Sequence, residues 1–257
     1  MALSDDTLLA VLREAADAIR AALDQAPDWR AAGLRDDQYE IDLYADSAAL
    51  RILERSGLGV LSEESGITRP DADVVVIVDP VDGSTNASLG LPWFATSLCA
   101  VDAGGPRVAV VVNQYTGTVF HAVRGGGAFR DGAAIHASNC VDLGDAIVAV
   151  NAYSVPPIGW RQFRRLGSSA LDLCAVAAGQ FDGFVDLTAG EHGVWDYAGG
   201  LLICQEAGAV MTDIDDRELV VRSITERRGP VAAGTPELHA QLVTARRAAG
   251  PSHSLGR

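Results

Sequence analysis

The sequence predicts an α/β (α+β) fold of two layered lobes meeting at a cleft, and three observations predict it. Apolar residues recur at helical spacing near both ends of the chain. The unbroken β-branched run Val74-Val75-Val76-Ile77-Val78 reads as a buried central strand. Strand signals then follow one another across glycine-rich turns between residues 95 and 129, the pattern of an antiparallel meander.

The first helix is expected over 5–23, where Leu8, Leu9, Leu12, Ala15, Ala16, Ile19 and Leu23 recur at helical spacing and Ser4 or Asp5 can cap the start. A loop with Pro27, Gly33 and Asp36-Asp37 leads to a second helix over 41–53, ended near Gly57 and Gly59. Val60-Leu61 is a short strand before Glu63-Glu64, and 74–78 is the central strand. The meander occupies 95–101, 108–113, 119–122 and 128–129, and 146–150 is a further strand. Helices over 168–178 and 195–206 enclose a strand at 184–186. Residues 210–211, 219–221 and 231–233 are the remaining strand candidates. A helix over 236–246, N-capped by Thr235 with Pro236 in its first turn, closes the chain. A single domain over 1–245 is expected, with lobes of about 1–150 and 151–245 and a flexible tail at 246–257.

Composition narrows the function. The 257 residues are 48% hydrophobic and 21% charged, which suits a globular chain. The net charge of −14, with arginine supplying all 20 basic residues, argues against partners rich in phosphate backbone or anionic lipid. No nucleic-acid or membrane partner is therefore expected. Cys99, Cys140, Cys174 and Cys204 form no C-x-x-C pair, and three lie in apolar runs, as buried thiols of a reducing, cytoplasmic compartment do. The acidic start does not read as a signal peptide, and no apolar run reaches the ~20 residues of a membrane helix.

The acids carry the functional signal. Asp79 and Asp82 end a buried strand, where a carboxylate must be paired or ligated. Such strand ends are common ligand sites in α/β proteins. Gly83 lets backbone approach a ligand, and Ser84 and Thr85 offer hydroxyls and N–H groups suited to a phosphate. Glu63-Glu64 follows the preceding strand, Asp196 opens a helix, and Asp46 lies on the second helix. Clustered oxygen ligands suit magnesium with phosphate and water. Read singly, each acid is more readily a cap, turn or solvated residue than a ligand. The five histidines show no nucleophile context, and His192 is weighed as a polar loop residue against a pocket-lining one.

The order of these pieces resembles a known family. Asp79-Pro80-Val81-Asp82-Gly83-Ser84-Thr85-Asn86 resembles the D-P-[I/L/V]-D-G-[T/S]-x-N signature of the inositol monophosphatase family. Trp195-Asp196-Tyr197-Ala198-Gly199-Gly200 resembles its W-D-x-A-[A/G]-G signature, and Glu63-Glu64 its paired glutamates. The stretches 124–132 (RGGGAFRDG), 165–171 and 178–183 are similar to its hairpin and its substrate-side helix region. Ser84 stands where threonine is commoner, Ser62 where glycine is usual, and Leu43-Tyr44-Ala45-Asp46 where V-T-x-x-D is frequent.

The resemblance implies a layered αβαβα sandwich of the inositol monophosphatase and fructose-bisphosphatase type. It implies a homodimer and two to three magnesium ions. Glu63, Asp79 and the Val81 carbonyl would hold the first ion, Asp79, Asp82 and Asp196 the second, and Glu63 would touch a third. The implied reaction is hydrolysis of a small phosphate monoester by in-line attack of metal-activated water. Asp46, Glu63 and Ser84 would be catalytic, with Ser84 and Asp46 orienting the water. Asp82, Gly83, Ser84, Thr85, Ser168 and Glu191 would bind substrate. The substrate expected first is an inositol monophosphate or a related cyclitol or sugar phosphate. Histidinol phosphate, a sugar bisphosphate and 3′-phosphoadenosine 5′-phosphate are alternatives, and a non-catalytic binding member is the remaining reading.

Overall fold

A computed structural model describes residues 3–33 and 38–252, so Asp36-Asp37 and 253–257 lie outside the described residues. Helix α1 (Asp5–Gln25) is capped by the Ser4 hydroxyl, which accepts from Thr7 N–H, and α2 (Glu40–Arg55) follows. The first sheet comprises β1 (Gly59–Ser62), β2 (Gly66–Thr68), β3 (Val75–Asp82), β4 (Ala95–Asp102), β5 (Gly105–Asn113), β6 (Val119–Val123), β7 (Gly127–Arg130) and β8 (Ala133–Ala134). Its order is β2-β1-β3-β4-β5-β6-β7-β8. Only β1 and β3 pair in parallel; the strands from β3 to β8 form the antiparallel meander. The short helix α3 (Ser84–Leu89) sits between β3 and β4.

The second sheet contains β9 (Ile147–Asn151), β10 (Gln162–Arg164), β11 (Gly183–Asp186), β12 (Val210–Asp213) and β13 (Pro230–Ala233), in the order β10-β9-β11-β13-β12. Helices α4 (Ser169–Ala177) and α5 (Val194–Glu206) alternate with these strands, and α6 (Pro236–Ala249) follows β13.

Two-residue periodicity stacks the layers. Along β3, Val76 and Val78 point to the face covered by Leu8, Leu12, Ile19 and Leu53 of α1 and α2. Val75 and Ile77 point to the opposite face, where Leu173 of α4 and Leu201 and Ile203 of α5 cover them. Those helices also pack on Ala149, Phe184 and Ala232 of the second sheet. The other face of that sheet, with Val148, Val185 and Val231, meets Leu238 and Leu242 of α6. The result is an αβαβα sandwich. Each buried aliphatic side chain is worth about 1.5–3 kcal/mol. A one-residue slip of β3 would exchange its two faces, so both cores lock its register.

Two expectations fail. Residues 219–221 form no strand, because their groups engage the core singly: Leu219 is buried and its carbonyl accepts from the Tyr197 hydroxyl at 2.6 Å. The expected tail is packed as far as 252. Helix α6 runs on to Ala249, and buried Arg246 donates to the carbonyls of Asp186 (2.8 Å) and Thr188 (2.6 Å). Ser252 N–H donates to the Leu187 carbonyl. No helix among the described residues is long and apolar enough to cross a membrane.

Candidate functional site

Parallel pairing builds the site. Ser62 lies opposite Val78, so the carboxyl ends of β1 and β3 stand side by side and deliver Glu63 next to Asp79. Glu63 N–H donates to the Val78 carbonyl at 3.2 Å. The second sheet repeats the arrangement: Asp186 lies opposite Asn151 where β11 and β9 end. The first turns of α4 and α5 enter the gap between these strand ends.

Asp79 and Asp82 are three residues apart, a spacing that in a regular strand sends side chains to opposite faces. The register of β3 on β4 shifts between them, from Asp79 opposite Ser97 to Asp82 opposite Ala95. The extra residue is a bulge that turns both carboxylates to the same side. Pro80, which has no N–H to lose, sits in it, and its carbonyl accepts from the Thr96 hydroxyl at 2.8 Å. Gly83 follows with φ of 87°, and a Cβ there would lie 2.8 Å from the Gly167 carbonyl oxygen, so only glycine fits.

Asp79, Asp82 and Asp196, the last in the first turn of α5, place carboxylate oxygens within 4.8 Å of one another. Among the described residues no arginine or histidine lies within 4.0 Å of these three. Burial, then the charges of Glu63, Asp82 and Asp196, holds Asp79 well above the usual carboxylate range. Burial and then Asp196 do the same to Glu63. Asp82 is pushed up to about 7 by burial and Asp196, against the opposing hydrogen bonds of Ser168 and Ala170. Buried like charges of this kind favour either protons or a cation. The donor set is all oxygen, clustered and lacking a protein counter-cation at its three aspartates, so it fits a hard divalent ion.

The cleft beside this cluster has a volume of about 480 Å³ and is lined by Glu63, Asp82, Ser168, Glu191 and Asp196 among others. Gly83, Ser84 and Thr85 follow Asp82 directly, Ser84 half-buried and opening α3, Thr85 exposed with the Tyr39 hydroxyl 3.5 Å from its own. Val81 N–H donates to the Asp79 carboxylate at 3.1 Å, which fixes the turn that carries the Val81 carbonyl. Asn86 explains the last position of the signature: its amide donates to the carbonyls of Trp93 and Leu166, both at 2.7 Å, tying α3 to the loop before α4.

Three expected residues sit differently. Asp46 is buried away from the cleft lining, and its carboxylate accepts from Ser62 Oγ at 2.5 Å. The acid of α2 whose charge reaches Glu63 and Asp79 is Asp42, one turn earlier, which also accepts from Tyr39 N–H at 2.9 Å. Ser168 lines the cleft with its hydroxyl already engaged. It donates to Asp82 at 2.6 Å and accepts from Leu171 N–H as the N-cap of α4, so it orients a carboxylate. Glu191 is exposed at the rim, accepting from the Tyr153 hydroxyl at 2.8 Å.

The sequence reading also missed a buried array. His192 Nδ1 lies 3.3 Å from the Asp186 carboxylate, and His192 Nε2 lies 2.7 Å from Ser169 Oγ. Burial alone would depress His192, but Asp186 outweighs it and raises the imidazole to about 9. Thr188 N–H and hydroxyl both donate to Asp186. The serine–histidine–aspartate order exists in space although nothing in local spacing announced it. The strand-end position of Asp186, matching that of Asp79, was the available signal.

Comparisons with known proteins agree with this geometry. The model of the inositol monophosphatase family matches residues 8–250. A protein named fructose-1,6-bisphosphatase/inositol-1-monophosphatase from Archaeoglobus fulgidus is 33% identical over 207 residues, covering 79% of this chain and 81% of the relative. Nus factor SuhB of Escherichia coli is 34% identical over 194 residues, covering 70% of each. The structure of an inositol monophosphatase from Anabaena superposes with a TM-score of 0.79 at 26% identity, covering 98% of this chain and 99% of the other. With its signature acids gathered at one strand-end cluster and its family model matched almost from end to end, this chain belongs to the inositol monophosphatase family.

Proposed function

We propose that the protein is a magnesium-dependent phosphatase of small phosphate monoesters. The observation that carries this reading is the convergence of Asp79, Asp82 and Asp196 within 4.8 Å, beside Glu63, at the mouth of a cleft. The four carboxylates and the Val81 carbonyl would hold the ions. Bound there, magnesium supplies Lewis acidity that neutralises phosphate charge and acidifies water.

The chain's own groups do the rest. Backbone N–H groups of Gly83 and Ser84, with the Ser84 and Thr85 hydroxyls, would receive the phosphate. Ser168 and the Ala170 N–H, at 2.6 and 2.7 Å, hold Asp82 in a single orientation. Asp42 replaces Asp46 as the helix acid proposed to work with Ser84 in orienting the attacking water, because its charge reaches the cluster. The name of the Archaeoglobus relative supports inositol monophosphate or a sugar phosphate as substrate. A cytoplasmic homodimer is proposed on the family resemblance alone.

Phosphate release from inositol 1-phosphate, fructose 1,6-bisphosphate, histidinol phosphate and 3′-phosphoadenosine 5′-phosphate, with and without magnesium, tests the reading. Release that needs magnesium and falls at least ~1,000-fold in Asp82→Asn is the expected result. A second reading, a binding role, is favoured by the Nus factor name of several relatives. Folded protein that binds magnesium but hydrolyses none of the four esters would select it.

A further inference from the structure

Hydrolysis of a phosphate monoester releases an alcohol, so the oxygen that leaves phosphorus must gain a proton. The acids of the cluster cannot give one while they ligate ions, because a carboxylate ligates in its ionised form. A group beside them can. His192 is buried, with Nδ1 3.3 Å from the Asp186 carboxylate and Nε2 2.7 Å from Ser169 Oγ. Burial alone would release its proton, but Asp186, then Asp196 and Asp82, outweigh burial and raise the imidazole to about 9. Both ring nitrogens are then donors. Nε2–H donates to Ser169 Oγ, and the Ser169 hydroxyl keeps its own proton for another acceptor. A hydroxyl that accepts a hydrogen bond from a cation is itself a stronger donor.

Ser169 is placed to use that proton. On either side of it, Ser168 Oγ and Ala170 N–H both donate to the Asp82 carboxylate, at 2.6 and 2.7 Å, which pins the first turn of α4 to the acid cluster. Ser169 itself is half-buried and lines the cleft together with Glu63, Asp82 and Asp196. The other buried acid that α4 contributes to the lining, Asp172, has its carboxylate engaged by Trp93 Nε1 at 2.9 Å.

We propose that Ser169 protonates the leaving alcohol and that His192, held by Asp186, supplies the proton through it. As the P–O bond breaks, its electron pair stays on the leaving oxygen. That oxygen takes the Ser169 hydroxyl proton, while Ser169 Oγ takes the proton of His192 Nε2. The imidazole is left neutral, with Nδ1–H toward Asp186. It regains a proton from water through Ser169 once the alcohol has gone, and the attacking water gives one proton to solvent. The sum is ester plus water to alcohol plus phosphate. Ser169 touches the substrate, and His192 and Asp186 are positioning residues behind it. The inference rests on the phosphatase reading and deepens it.

The test uses the whole protein with magnesium and three esters without ring hydroxyls: 4-nitrophenyl, phenyl and benzyl phosphate. Their leaving oxygens grow steadily more basic, so nitrophenolate departs without a proton and a benzyl alkoxide needs one. Ser169→Ala is expected to lower kcat/KM for benzyl phosphate about 100-fold, and the ratio of benzyl to nitrophenyl rates at least about 30-fold. Ser169→Thr, which keeps the hydroxyl, should recover most of both, and His192→Gln should show the same dependence on the leaving group. A second readout needs no turnover. Nitrogen NMR of the metal-free protein at neutral pH should show His192 protonated on both ring nitrogens, with the Nε2 signal displaced in Ser169→Ala. An equal loss on all three esters in Ser169→Ala, a leaving-group-dependent loss in Asp172→Asn in its place, or a His192 Nε2 without a proton would each overturn the assignment. No release from any ester by the wild type would remove the phosphatase reading, and this inference with it.

Discussion

On the wall of the cleft built by β1, β3 and α5, carboxylates face one another; where β9 and β11 end on the opposite wall, the buried carboxylate Asp186 meets a cation inside the protein. Asp79, Asp82 and Asp196 crowd within 4.8 Å; burial weakens the acidity of all three, and the charge of Asp196 adds to the effect on Asp79 and Asp82. Asp186, equally buried and equally a strand-end acid, is held below the usual carboxylate range: burial pushes it up, but the His192 charge and the Thr188 donors outweigh that. The same residue type at the same topological position thus carries opposite electrostatic terms. An unbalanced wall waits for cations from outside, whereas a balanced wall is finished and presents shape and hydrogen bonds. The first suits chemistry common to many substrates, and the second suits choosing among them.

The largest consequence is a difference of sign in the metal-free protein. Removing one partner of a buried, hydrogen-bonded charge pair costs about 3–5 kcal/mol, so Asp186→Asn should lower unfolding stability by that amount. Asp79→Asn removes a repelled charge and should raise it. Chemical denaturation of both variants in chelator provides the check. Equal destabilisation by the two would mean that the walls do not differ in the way described.

The comparison also explains what the sequence could convey. The unbalanced wall announces itself locally: a run of β-branched residues that ends in Asp79-Pro80-Val81-Asp82-Gly83 combines burial with charge in one stretch, and no folding argument accounts for it. The layers were equally legible, since the β-branched run of β3 and the helical face of α1 are local patterns. The balanced wall was not legible. Its members Asn151, Ser169, Asp186 and His192 come from four separate segments, and each looks like an ordinary strand end, helix start or loop residue until β9 and β11 pair. Asp42 shows the same limit at closer range. Asp42 and Asp46 lie one turn apart on one face of α2, and spacing cannot say which of them reaches the cluster. Ser62, standing where the family usually has glycine, engages Asp46, and on that contact we assign the role to Asp42 as a proposal.

That distinction sharpens into a kinetic prediction of intermediate size. Asp42→Asn should lower kcat about 100-fold under saturating magnesium, the scale of a lost group that orients or deprotonates water. Asp46→Asn should change kcat less than about fivefold, because it removes a charge that serves Ser62 and Ser65 and keeps an oxygen that accepts from them. Phosphate release by the two variants side by side is the measurement. A larger loss in Asp46→Asn would return the role to the later acid and make the Ser62 contact part of it.

The smallest effect concerns protons in place of metal. Asp82 titrates near 7 in the fold, and Glu63 and Asp79 lie well above their ordinary values, while in the unfolded chain all three ionise near 4. Between those limits the folded state holds more protons than the unfolded one, so stability falls as pH rises. For Asp82 the loss between about pH 6 and 7.5 is on the order of 1 kcal/mol, or about 2–4 °C in Tm for a chain of this size. Magnesium, by taking the place of those protons, should flatten the slope and raise Tm more at the higher pH. Thermal unfolding with chelator and with magnesium across that range reads both effects. A metal-free Tm that climbs with pH would show that the acid wall is already neutralised from within, and the contrast between the two walls would then lose its physical basis.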